Sequence, residues 1–309
     1  MPLPPGVLEK DFLTTEAIKI ASTICDDEVK VVFCGGTCLA KAYGITGRMS
    51  EDADFRMVVR EEGNTTSHDR RILSAVKHKI IDALRAGGFE FTEKNYRARD
   101  NNSSMRFRLP YNVSYPSVAS LRPEIKMEFI KISPTDATGM RPVRPLAEEI
   151  LNITSAGQVE VECVSMRETL SDKVVALLRR MGDDRASYSD DPRLMRHLYD
   201  IDRIVNIGRV AWEPSLQKLF AGKVQSDILR FKGHCAEFAD DPVKKMNEAM
   251  GKLRSSPMYA ANYAGILSDL VFERNPPDFE AAMSTFENIA GRLLDELGVE
   301  PEDDCSPSP

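Results

Sequence analysis

Val31-Val32-Phe33-Cys34-Gly35-Gly36-Thr37-Cys38-Leu39, followed by Ser50-Glu51-Asp52-Ala53-Asp54-Phe55, decides the reading of this chain. The β-branched run predicts a buried strand that leads straight into a Gly-Gly turn opening a helix. Asp52 to Val59 predicts a second strand. Residues two apart on a strand share a face, so Asp52 and Asp54 point one way while Ala53 and Phe55 face the core.

Glycines at a helix start offer bare backbone N–H groups to a phosphate, and paired carboxylates can share divalent cations. That combination suits phosphoryl or nucleotidyl transfer. The plainer alternative is a tight strand–helix turn beside a solvated strand face, which a Gly pair alone would favour.

Outward from this block, element types alternate. Helical spacing predicts helices over Leu8–Cys25, Thr37–Tyr43 and Ser67–Ala86, the last stopping at Gly87-Gly88. Strands are predicted at Val29–Cys34, Phe89–Thr92, Met105–Leu109, Ile125–Ile132 and Val159–Val164. Arg141-Pro142-Val143-Arg144-Pro145 reads as punctuation. Beyond it the chain turns helical: Arg167–Met181, Pro192–Gly208, Glu213–Phe220, Ser226–Phe238, Pro242–Leu253, Tyr259–Phe272 and Pro277–Leu297. The order predicts an α+β fold with a mixed sheet, followed by an all-helical C-terminal domain. Expected boundaries are 1–163 for the first domain and 164–299 for the second, with a disordered tail over 300–309.

The bulk numbers fit a globular protein of about two domains: 309 residues, 42% hydrophobic and 29% charged. No apolar run is long enough to span a bilayer, and the N-terminus lacks the pattern of a signal peptide, so a cytoplasmic location without membrane contact is expected. The six cysteines form no CxxC pair and complete no zinc spacing. Residues 1–150 hold 22 Lys and Arg against 21 Asp and Glu, a net of +1; the remainder holds 19 against 27, a net of −8. Any nucleic-acid contact is therefore local, and its richest candidate is Lys94 to Arg108. There Lys94, Arg97, Arg99, Arg106 and Arg108 stand against one Asp, with Tyr96 and Phe107 interleaved. Such a hairpin could bind phosphates and stack a 3′ nucleotide, or it could be a solvated loop. Arg141 and Arg144 are possible additions.

In Ile125-Lys126-Met127-Glu128-Phe129 the alternation turns Glu128 away from the core. If this strand neighbours the Asp52–Asp54 strand, Glu128 becomes a third metal carboxylate and could act on the acceptor hydroxyl's proton. Equally, Glu128 could be an exposed glutamate paired with Lys126 or Lys131. Lys173 opens an apolar helix and could pair with phosphate oxygens. Asp200 follows Tyr199 on a buried helix and needs a partner, which Lys173 or a nucleotide hydroxyl could supply.

Several blocks come in a recognisable order: Leu8-Glu9-Lys10-Asp11-Phe12, Phe33 to Gly44, Arg48 to Phe55, Asp172-Lys173-Val174-Val175-Ala176-Leu177 and Arg196-His197-Leu198-Tyr199-Asp200-Ile201. Over residues 8–202 the chain resembles the AbiEii-type nucleotidyltransferase toxins. The resemblance implies a DNA-polymerase-β-like nucleotidyltransferase core with a helical C-terminal domain, from a family associated with toxin–antitoxin and phage-defence pairs. It implies an NTP substrate with Mg²⁺ or Mn²⁺, and an acceptor that in several members is the 3′ end of tRNA, which blocks translation. Gly35, Gly36 and Thr37, with Ser50, would hold the triphosphate. Asp52 and Asp54 would hold metal, joined by Glu128 on its placement; Lys173 would contact phosphates and Asp200 would be a further acid. Arg196-His197 stands where members often have Arg-Asp. A cognate antitoxin is a possible partner. Two alternatives stay open: transfer to a protein or small molecule, and a non-catalytic antitoxin-binding protein of the same fold.

Overall fold

The computed structural model describes residues 3–60, 66–116, 121–151, 153, 158–183, 185, 189–231, 233 and 235–297; the expected tail at 300–309 lies outside them. The chain divides into two compact units, residues 1–169 with 267–276, and residues 170–266 with 277–309. The first unit therefore runs six residues past 163 and also takes back a short segment from late in the chain.

In the first unit, α1 (Pro5–Ser22) precedes β1 (Val29–Cys34), α2 (Gly35–Lys41), β2 (Asp52–Val59) and α3 (Thr66–Ala86). Then come β3 (Tyr96–Arg99), β4 (Ser104–Pro110), β5 (Glu124–Lys131), β6 (Gly139–Val143), α4 (Leu146–Leu151) and β7 (Val159–Cys163). The strands form one seven-stranded sheet in the order β3-β4-β5-β2-β1-β7-β6. It is mixed: β2 lies parallel to β5, β1 lies parallel to β7, and the other neighbours are antiparallel.

The sheet is strongly two-faced. Phe33, Phe55, Phe129 and Phe107 run across one face, with successive ring centroids 5.3, 4.9 and 5.7 Å apart. Ala17, Ile18 and Ala21 of α1 and Ile72, Leu73, Val76, Ile80 and Leu84 of α3 belong to the same buried cluster. Each phenylalanine buried this way contributes about 2–3 kcal/mol. The opposite face carries the polar alternates Asp52, Asp54, Lys126 and Glu128. One face packs the core and the other carries charge.

Two expectations are corrected here. Phe89–Thr92 forms no strand; Phe89 and Phe91 are buried in the core, and a capping box between Thr92 and Asn95 delays the strand to Tyr96. Arg141-Pro142-Val143 is not mere punctuation but part of β6. That strand is the last in the sheet order, where proline's missing N–H is tolerated.

The second unit is helical. It takes the later part of α5 (Met166–Met181), then α6 (Met195–Asn206), α7 (Pro214–Phe231), α8 (Ala236–Asp240), α9 (Pro242–Ser255), most of α10 (Pro257–Leu270) and α11 (Phe279–Leu297). Glu213–Phe220 and the start of Ser226–Phe238 are one continuous helix, α7, because the intervening residues keep helical spacing. Leu216, Phe220 and Val224 are buried along it four residues apart, which puts them on one face across the expected break.

Candidate active site

Strands β2 and β5 build the site. Their parallel register sets Asp52 beside Lys126 and Asp54 beside Glu128, so four charged side chains share one face. Lys126 reaches two of the carboxylates: its Nζ lies 2.8 Å from Glu128 Oε1 and 3.7 Å from Asp52 Oδ2. Arg106 on β4 reaches the same Glu128 oxygen at 2.8 Å. Burial alone would raise the pKa of Glu128; the hydrogen bond and charge of Lys126, with Arg106, outweigh it and hold the carboxyl below its usual range. Of the two partners expected for Glu128, Lys126 is the one found, while Lys131 pairs with Asp69.

Gly35 is required beside these carboxylates. Its φ is +79°, and a Cβ there would sit 2.6 Å from Asp54 Oδ2. Glycine thus admits both the turn and the close approach of Asp54. Cys34, the residue before α2, supplies no side-chain cap to that helix. Thr37 is buried; its Oγ1 hydrogen-bonds the Asp52 carbonyl and lies 2.7 Å from Ser50 Oγ. Thr37 therefore clamps the start of α2 to the start of β2, and Ser50 is the more exposed hydroxyl of the two.

Buried ion pairs that sequence reading leaves without a role hold the segments around β2. Lys10 bonds the Glu51 carboxylate and, at 2.7 Å, the Arg122 carbonyl. Lys41 meets Asp11 at 2.5 Å, and Asp11 accepts the Leu146 N–H at 2.6 Å. Arg56 pairs with Glu168, which also accepts from Thr135. The returning segment pairs Val271 with Arg48, and Met49 N–H donates to the Leu270 carbonyl at 2.8 Å, just ahead of Ser50.

Strands β3 and β4 form the expected basic hairpin, but its aromatics do a different job. Phe107 is fully buried and so is not presented for base stacking, while Tyr96, partly buried, stacks on it at 5.6 Å. The alternation that buries them sends the arginines to the other face. Lys94, Arg97, Arg99, Arg106 and Arg108 line a concavity of about 210 Å³ that also includes Glu128. Of the possible additions, Arg141 lies over the Tyr43 ring at 5.1 Å and Arg144 borders a separate small cavity.

Lys173 and Asp200 come together in the second unit as a buried pair, 2.6 Å apart. Asp200 thus has the protein partner that its burial demanded.

A divalent cation is implied by this chemistry. Among the described residues, no three His, Cys, Asp or Glu side chains are gathered closely enough to hold one together. The donor set nevertheless suits it: Asp52 Oδ1 is buried with no hydrogen-bond partner, Asp54 shares its face, and Glu128 is the register neighbour of Asp54.

The chain matches the family described as nucleotidyl transferase AbiEii toxin, type IV TA system, over residues 23–285. No curated protein matches it. A solved structure of similar fold is MenT4, a nucleotidyltransferase toxin from Mycobacterium tuberculosis: 18% identity, TM-score 0.60, covering 96% of this chain and 85% of that one. The protein belongs to the AbiEii nucleotidyltransferase toxin family of type IV toxin–antitoxin systems.

Proposed function

We propose that this nucleotidyltransferase moves a nucleotide from an NTP onto the 3′ end of tRNA in the cytoplasm, stopping translation, and that a cognate antitoxin restrains it. The observation that carries the acceptor reading is the hairpin. Arg97 and Arg106 are direct register partners across β3 and β4. Glu128 offsets Arg106, but Lys94, Arg97, Arg99 and Arg108 leave the adjoining concavity strongly positive, and a polyanion would offset that charge. A small neutral acceptor would not.

The residues divide the work as follows. The N–H groups of Gly35 and Gly36, with Ser50, bind the triphosphate, and Thr37 fixes them in place. The family likeness supports Lys173 as a phosphate ligand and Asp200 as an acid. Asp52, Asp54 and Glu128 would hold Mg²⁺ or Mn²⁺, which when bound neutralises charge on the phosphates and makes the acceptor hydroxyl more acidic. The acceptor oxygen forms its bond to the α-phosphorus as the bond to pyrophosphate breaks, and Glu128 takes the hydroxyl proton.

The test is incubation of the protein with each α-³²P-labelled NTP, Mg²⁺ and total tRNA, beside Asp52→Ala. Label on RNA that falls by at least about a hundredfold in the variant supports the reading. Label on protein or a small molecule instead replaces the acceptor, and undiminished transfer by folded Asp52→Ala rejects the site.

A further inference from the structure

We propose that Lys126 is a built-in counter-cation of the carboxylate site, displaced when a divalent ion binds, and that it thereby sets the enzyme's metal affinity. The inference rests on the reading of Asp52, Asp54 and Glu128 as metal ligands.

Three carboxylates at adjacent register positions repel one another, so the face calls for a cation. The ammonium of Lys126 stands where that cation is needed, touching Glu128 at 2.8 Å and approaching Asp52 at 3.7 Å. The register brings Lys126 within reach of both: it is opposite Asp52 and two residues before Glu128 on the same face. Arg106 also meets Glu128, but it approaches from the hairpin concavity with half of its side chain in solvent. Lys126 is the one that joins both carboxylates. A divalent ion that binds Asp52 and Glu128 competes with the ammonium between them, since two cations held that close repel.

Lys126 is able to leave. Its side chain is 19% exposed and rides on a flexible four-carbon stem, so it can swing into water or onto an incoming phosphate. The metal-free protein would then keep an ordered, near-neutral site, and metal would bind in competition with a residue of the chain itself.

The experiment measures Mn²⁺ binding without nucleotide, by the electron paramagnetic resonance signal of free Mn²⁺, for the full chain and for Lys126→Met, Lys126→Gln, Lys126→Arg and Asp52→Asn. Lys126→Met and Lys126→Gln should bind Mn²⁺ at least about tenfold more tightly than wild type, and Lys126→Arg should not. In EDTA both neutral variants should melt below wild type, with saturating Mn²⁺ closing the gap. A purely structural lysine would lower melting in both conditions and leave affinity unchanged, which overturns the proposal. Affinity that is unchanged or weaker in whichever neutral variant folds also overturns it, while wild-type binding lost in Asp52→Asn keeps the metal reading standing. If neither wild type nor the neutral variants bind Mn²⁺, or if Asp52→Asn binds as wild type does, the metal reading falls and the proposal falls with it.

Discussion

Two lysine–carboxylate pairs of almost equal length sit in very different surroundings. Lys126 and Glu128 are 2.8 Å apart with side chains 19% and 21% exposed; Lys173 and Asp200 are 2.6 Å apart at 8% and 0%. Distance alone would rank them as equals, but water decides otherwise. The open pair on the sheet face can trade partners with a metal or a phosphate at small cost, as solvent-screened pairs do. The sealed pair cannot be parted without leaving a charge in an apolar interior. The family likeness offers roles in chemistry to members of both pairs; the open one exchanges partners at the smaller cost.

The largest expected effect tests the sealed pair. Asp200→Ala strands the Lys173 ammonium and should cost about 3–5 kcal/mol in urea unfolding. Replacing both partners together, as Lys173→Met with Asp200→Leu, should recover most of that loss, since the uncompensated charge is then gone. Glu128→Gln should cost no more than about 1 kcal/mol. Its transfer rate should nevertheless drop by about a hundredfold or more. An Asp200→Ala protein as stable as wild type would break the comparison and strengthen the reading of Asp200 as an acid.

A smaller effect sharpens the comparison from the backbone side. Gly35 and Gly44 both have left-handed φ, +79° and +64°, but only Gly35 has a carboxylate where a Cβ would go. Gly44→Ala carries the conformational cost alone, about 1 kcal/mol. Gly35→Ala adds the displacement of Asp54 and should cost about 2 kcal/mol or more in a thermal melt. Transfer should fall sharply in the Gly35 variant and stay near wild type in the Gly44 variant. Equal losses in both would mean that the close approach of Asp54 does not matter.

The same contrast governs how much of the molecule is legible in its sequence. The shared face of Asp52 and Asp54 and the outward turn of Glu128 follow straight from alternation, because a two-faced sheet writes period two into its sequence. The fold class also follows from element order. The hairpin is half legible: its charges are plain, but a stacking role for Phe107 overlooks the alternation from Met105 to Leu109, which already places that ring in the core. The turn Asp100-Asn101-Asn102, all three left-handed, is an available signal for a strand that starts nearby at Tyr96. Lys10–Glu51, Lys41–Asp11 and Arg56–Glu168 are not legible, since they join residues between 30 and 112 positions apart, and no local pattern encodes such pairing. Nor does any composition shift mark residues 267–276 as part of the first unit.

The smallest expected effect asks how open the open pair is. The pKa of Glu128 lies below its ordinary value of 4.5 in the folded protein, because Lys126 and Arg106 overcome the opposing effect of burial. A carboxyl whose folded pKa is depressed contributes stability that is present above the unfolded pKa. That contribution is lost as pH falls through the folded pKa. Arg106→Gln removes one of the two cations, so the variant should be less stable than wild type at pH 7, by under about 1 kcal/mol given the exposure of Arg106. The gap should narrow below pH 4.5 and close once Glu128 is protonated in both proteins. Urea unfolding at pH 7 and at pH 3 measures it. A gap that stays the same at pH 3 would show that Arg106 acts through packing rather than charge. A gap of several kcal/mol at pH 7 would place Glu128 with Asp200 among the sealed carboxylates and erase the distinction between the two pairs.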